Sequence, residues 1–167
     1  MKHFAVIGLG NFGFHAAKAL FEDGNEVVAI DADKARVQAI DPHSTEAVVL
    51  DATDKEALKS LGLENMDGVI VSTGTKISTS ILICLYLQEI GVKKILAKAL
   101  DADHGKILKR VGATEIIHPE RDMALRLSRL FGNSPEFWLN AQYARDLWEA
   151  HRQFENELKQ IQPLDAA

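Results

Sequence analysis

The sequence predicts an α/β protein: a doubly wound parallel sheet of six strands in the order 3-2-1-4-5-6, followed by a helical tail. Three observations predict it. Short β-branched runs alternate with helical patterns as far as His118. Those runs are continuously apolar, the pattern of strands covered on both faces. After His118 only helical periodicity continues.

Each element has its own warrant. His3–Ile7 is the first strand, and Phe12–Asp23 a helix with Phe12, Ala16, Ala17 and Leu20 on one side, closed by Gly24-Asn25. Glu26–Ile30 is the second strand and Asp33–Ile40 a short helix. Ala47–Leu50 is the third strand, followed by a helix over Asp54–Leu61. Gly68–Thr73 is the fourth strand, and a long helix over Lys76–Ile90 stops at Gly91. Lys94–Ala99 is the fifth strand, Asp103–Val111 a helix before Gly112, and Glu115–His118 the sixth strand. Pro119 opens a helix over Glu120–Phe131. Ser134-Pro135-Glu136 then supplies an N-cap, an N1 proline and a first-turn acid for a second one. Phe137, Ala141, Ala144 and Trp148 fall at helical spacing, as do Leu147, Phe154, Leu158 and Ile161, so the tail carries an apolar stripe that needs a partner surface.

Composition narrows the function. The chain has 167 residues, 47% of them apolar, enough for one core and an appendage. Its net charge of −5 comes from interspersed acids and bases, which argues against nucleic acid as a partner. The one cysteine, Cys84, lies in an apolar helical run and reads as a small hydrophobe. No run approaches ~18 apolar residues, and the N-terminus enters a strand directly, so a cytoplasmic chain is expected.

The glycines of VIGLGNFG fit G-x-G-x-x-G between a strand and a helix. In this Rossmann-type context Gly8 makes the turn off the strand, Gly10 admits the pyrophosphate, and Gly13 lets helix and sheet approach. The helix N-terminus then offers free N–H groups to phosphate, which places Asn11 and Phe12 at the site too. Asp31, with Ala32 after it, ends the second strand, where an acid accepts ribose hydroxyls and repels a 2′-phosphate. Lys34 and Arg36 lie close by. Asp51-Ala52-Thr53 follows the third strand, where an adenine could lie, although D-A-T-D also begins a helix. Ser72-Thr73-Gly74 follows the fourth strand, where strand order reverses. The ligand is NAD(H) or an adenine nucleotide. An oxidoreductase needs a proton-moving group and a substrate pocket. The six histidines form no metal-spaced pair, and His118 before Pro119-Glu120 is the best catalytic candidate among them. No further substrate domain is visible, so a ligand-binding module is favoured. A small NAD-dependent oxidoreductase is the alternative.

Residues 1 to about 123 resemble the KTN (RCK N-terminal, TrkA-N) domains that regulate potassium channels and transporters. The resemblance is carried by FAVIGLGNFG, VVAID, VVLDATD, LKSLGLENMDGVIVSTG, AKA and GATEIIHPERDMA. It implies a nucleotide-sensing regulator that binds NAD(H), ATP, ADP or AMP and forms homodimers able to assemble into a ring. Its partner would be a membrane potassium transporter or channel subunit, and the chain would sit at the inner membrane only through that partner. By motif, Gly8, Gly10 and Gly13 would hold phosphates and Asp31 the ribose. Asp51, Ala52 and Thr53 would flank the adenine, with Thr73 and Gly74 beside the nucleotide. Lys98 would reach toward the ligand. Glu120 would lie near the phosphates or hold a divalent cation at the dimer interface. Asn11 stands where relatives that prefer ATP carry arginine, which favours ADP, AMP or NAD(H).

The usual C-terminal ligand-binding lobe is replaced by ALRLSRLFGNSPEFWLNAQYARDLWEA, which resembles the C-terminal helices of HigA-type antitoxins. The expected division is a nucleotide-binding domain over 1–131 and a tail over 132–167, joined by engineering or recombination, with a native tail that converged on the same string as the alternative. The antitoxins' DNA-binding helices have no counterpart here. The tail's implied contribution is helical packing, dimerisation or a protein-interaction surface.

Overall fold

The computed structural model describes residues 1–73 and 76–160. Six strands form one sheet in the order β3-β2-β1-β4-β5-β6. They are β1 (His3–Ile7), β2 (Glu26–Asp31), β3 (Glu46–Val49), β4 (Gly68–Val71), β5 (Ile95–Lys98) and β6 (Glu115–Ile117). All five pairings are parallel, with Ile7 opposite both Ile30 and Val71.

The helices are α1 (Asn11–Glu22), α2 (Lys34–Ile40), α3 (Lys55–Lys59), α4 (Ile77–Ile90), α5 (Ala102–Arg110), α6 (Pro119–Phe131), α7 (Pro135–Gln153) and α8 (Glu155–Leu158). Capping residues account for most of the small differences from the sequence reading. Asp33 and Asp54 stand just outside α2 and α3 and accept N–H groups from their first turns. Asp101 caps α5 through the His104 N–H, so that helix begins a residue before Asp103. β4 ends at Val71, and Ser72 and Thr73 leave the ladder as a lip over the carboxyl edge of the sheet.

The period-2 geometry of β1 divides the core. Ala5 and Ile7 join Leu58, Ile83, Leu87 and Leu108 on one face, beneath α3, α4 and α5. Val6 and Leu9 join Ala17, Val37 and Ile40 on the other, beneath α1 and α2. Cys84 is fully buried in the first cluster, and burial pushes its thiol up to about 12. It is the inert hydrophobe expected from the sequence.

Two compact units are present, Met1–His118 and Pro119–Ala167. Residue 131, expected as the boundary, lies inside the second unit because α6 packs along α7. In that unit Trp138 donates its indole N–H to Asn133 at 2.7 Å and stacks against Phe131 and Phe137. The apolar stripe expected of the tail is not covered by this packing. Phe137, Leu147, Trp148, Phe154 and Leu158 are exposed, and Ile161 lies outside the described residues. Among the described residues no helix is long and apolar enough to cross a membrane.

Candidate functional site

The carboxyl ends of β1 to β4 enclose a crevice of about 180 Å³ in the first unit. Gly8 of the glycine loop lines it, while Gly10, Asn11, Phe12 and Gly13 lie outside the lining. Gly8 has φ +93°, and a Cβ there would fall 2.5 Å from the Ser72 carbonyl oxygen. A Cβ on Gly13 would lie 1.8 Å from the Gly8 oxygen, so that glycine permits the close approach of α1 to the loop. Gly10 differs: a Cβ there would meet nothing within 4 Å. It caps α1 in extended backbone with no side-chain cap, so the loop side of the helix is open. The first amides of α1, those of Asn11, Phe12 and Gly13, have no intrahelical acceptor by geometry. This is a cradle shaped for an anion.

Asp31 holds the cradle to the sheet. One carboxylate oxygen accepts the Leu9 N–H at 2.6 Å and the other the Asp33 N–H at 2.8 Å. Arg36 adds a guanidinium 3.6 Å from Asp31 and 3.6 Å from Asp33. Asp31, Ala32 and Arg36 line the crevice. Asp31 is therefore a structural tie as well as a wall of the site, since each oxygen keeps a lone pair for a hydroxyl.

In the loop after β3, Asp51 and Ala52 line the crevice and Thr53 does not. Thr53 gives both its N–H (2.9 Å) and its hydroxyl (2.6 Å) to Asp51, and these two bonds lower the Asp51 pKa. After β4, Thr73 lines the crevice with its hydroxyl oxygen buried and without a hydrogen-bond partner among the described residues. Gly74 lies outside the described residues. Thr79 and Ile83 of α4 complete this wall. Sequence reasoning did not select these two, nor Ile7 and Leu50. The signal for Thr79 was available, because the first turn of the helix after β4 faces the switch point.

Lys98 and Glu120 also stand outside the crevice lining. Lys98 ends β5 with its ammonium 5.9 Å from the centre of the Phe12 ring, outside the crevice lining. Glu120 belongs to the second unit, where it lines a hollow of about 270 Å³ with Met123, Leu127 and Trp138. Among the described residues no group of three His, Cys, Asp or Glu is placed to hold a metal. His3 pairs with Glu26 at 3.0 Å, a partnership set by the register of β1 on β2.

A strand, a glycine loop opening onto a bare helix N-terminus, and an acid ending the second strand define a Rossmann-type nucleotide-binding domain. The chain belongs to the TrkA-N domain family, which matches residues 4–119. It is 50% identical over 127 residues to the Ktr system potassium uptake protein C of Bacillus subtilis, covering 76% of this chain and 58% of that relative. The chain thus spans little more than half the length of that relative. It is also 32% identical over 80 residues to the antitoxin HigA-1 of Vibrio cholerae, covering 47% of this chain and 73% of that protein. The antitoxin likeness of the tail rests on this partial match.

Solved structures share the fold. The TrkA-N domain of the inner membrane protein ybaL from Escherichia coli superposes with TM-score 0.69 at 21% identity, covering 78% of this chain and 96% of that one. The GsuK channel bound to NAD gives 0.67 at 16% identity, over 76% of this chain and 23% of that one. The Shewanella denitrificans Kef C-terminal domain in its AMP-bound form gives 0.61 at 22% identity, over 93% of this chain and 97% of that one.

Proposed function

We propose that this chain is a nucleotide-sensing regulatory component of a potassium uptake system, and that its crevice holds NAD(H) or an adenine nucleotide. The observation that carries the reading is the Thr73 hydroxyl, buried in the crevice wall with no partner among the described residues. Such an oxygen costs stability in the empty protein and is satisfied when a polar ligand fills the site.

The amides of Asn11, Phe12 and Gly13 hold the phosphates over Gly10, Asp31 and Ala32 take the ribose, and Asp51 and Ala52 flank the adenine. Thr73 meets the nucleotide from the loop after β4. Lys98 reaches the phosphate side, and Glu120 serves the phosphates or a divalent cation at a dimer interface. The relatives' role in potassium uptake and the NAD and AMP held by the structural neighbours support this assignment. The domain senses the nucleotide without transforming it. It works as a cytoplasmic homodimer, or a ring of dimers, beneath a membrane potassium transporter or channel, and a ligand that prefers one shape of that assembly shifts its population.

Thermal shift and calorimetry with NAD, NADH, ATP, ADP and AMP test the reading. A true ligand at a hundredfold excess over its Kd raises stability by about 2.7 kcal/mol. Absence of stabilisation by every member of the panel refutes it.

The exposed Leu147 and Trp148 favour a second role for the tail, a protein-interaction surface on an antitoxin-like segment over 132–167, fused or recombined onto the sensor. Truncation after Phe131 should then change the oligomeric state or the partners retained. An unchanged state with unchanged partners makes the tail a passenger.

A further inference from the structure

A buried histidine outside the crevice lining bonds to the helix that forms one of its walls. His104 of α5 and Ser80 of α4 are 3% and 1% exposed. Their hydrogen bonds run in one direction. The Leu100 N–H donates to His104 Nδ1 at 3.2 Å, so Nδ1 is an unprotonated acceptor. The proton of the neutral ring therefore sits on Nε2, 2.9 Å from Ser80 Oγ, and Ser80 passes its own proton to the Ile77 carbonyl at 2.9 Å. Every donor in this chain has one acceptor, and the ring is locked in one neutral tautomer.

The chain ends on the part of α4 that faces the crevice. Ile77 is the first residue of α4, Thr79 lies between Ile77 and Ser80, and Thr79 and Ile83 line the crevice opposite Asp31. A second proton on His104 would place an N–H against the Leu100 N–H, two donors face to face. The ring would have to move, and Ser80 and the first turn of α4 with it.

Resting on the nucleotide reading of the crevice, we propose that His104 is a positioning residue for the site: it holds the first turn of α4 through Ser80, and its protonation opposes nucleotide binding. The groups around the ring agree. Burial and His118, at the end of β6, lower the His104 pKa, while Asp101 at the α5 cap pulls the other way. The α4 side of the contact offers the Ser80 hydroxyl. Linkage makes the effect reciprocal, so bound nucleotide must also resist protonation of His104.

The test is calorimetry on the full chain at about pH 8 and about pH 5.5, with NAD⁺ as the probe because its pyrophosphate charge is constant over that range, and with ADP beside it. NAD⁺ should bind measurably more weakly at the lower pH, as linkage to a proton on His104 requires. His104→Gln, which keeps an N–H toward Ser80 but cannot titrate, should abolish that dependence, as should Ser80→Ala, which cuts the ring from α4. A pH-independent affinity in the native chain, or the same slope in His104→Gln, overturns the proposal. If neither nucleotide binds at about pH 8, the failure belongs to the nucleotide reading. The bridge is then judged by imidazole ¹⁵N shifts. An unprotonated Nδ1 at neutral pH and a Thr79 amide that moves as His104 titrates support it, and a protonated Nδ1 or an unmoved Thr79 overturns it.

Discussion

A methyl group in place of the Thr73 hydroxyl would remove a buried oxygen that has no partner among the described residues. The ligand-free protein should therefore hold or gain stability in Thr73→Val, by up to about 1 kcal/mol, while nucleotide affinity falls by a similar amount. Thermal denaturation and calorimetry on the same variant check both halves; a loss of stability without a loss of affinity would mean that the hydroxyl serves the fold. Asn11 governs a different property. It begins α1 at the open cradle, where its amide side chain offers neutral hydrogen bonds to phosphate. Asn11→Arg adds a fixed positive charge and should strengthen ATP relative to NAD(H), read as the ratio of the two Kd values. An unchanged ratio would show that the terminal phosphate does not reach α1.

Among the elements, the capped helices show most clearly how local sequence dictates structure. Ser134 accepts the Phe137 N–H at 3.3 Å and Pro135 occupies the first helical position, as the S-P-E string predicts. Ser134→Ala should cost the helical unit about 1 kcal/mol, visible as a lower melting temperature by circular dichroism while the sheet's stability is kept. The strands were equally legible, because runs such as AVI of β1 and GVIV of β4 are covered from both sides and are apolar throughout. The ends of elements were less so. Asp101 starts α5 through a side-chain bond to His104 N, and nothing in D-A-D-H says which aspartate will cap. Similarly, Thr53 is a plausible adenine contact by position, yet its hydroxyl turns to Asp51, because a two-residue Asx turn satisfies it locally.

For the whole molecule, the His104 bridge makes stability depend on pH. The folded chain lowers this pKa from the ordinary 6.5. Above that value both folded and unfolded states are neutral, and the contribution of the bridge is fully present. As pH falls below it, the unfolded chain binds a proton that the folded chain resists. Stability is lost until the folded value is reached, where the loss levels off. Denaturant melts between about pH 8 and about pH 5 should show this loss in the native chain and a smaller one in His104→Gln. Equal losses would assign it to other groups.

The strand positions, the two covered faces, the glycine cradle and the acid ending β2 were determined by the sequence alone, since each depends on local periodicity or on the conformational needs of a few adjacent residues. Only the tertiary structure decided which polar groups are spent and which are left over. Asp31 and Thr53 find partners, Thr73 finds none among the described residues, and Ser80 meets His104 across 24 positions of chain. These outcomes depend on packing distances between α4, α5 and the sheet. A buried hydrogen bond is set by where two elements come to rest, and no pattern within either element records it.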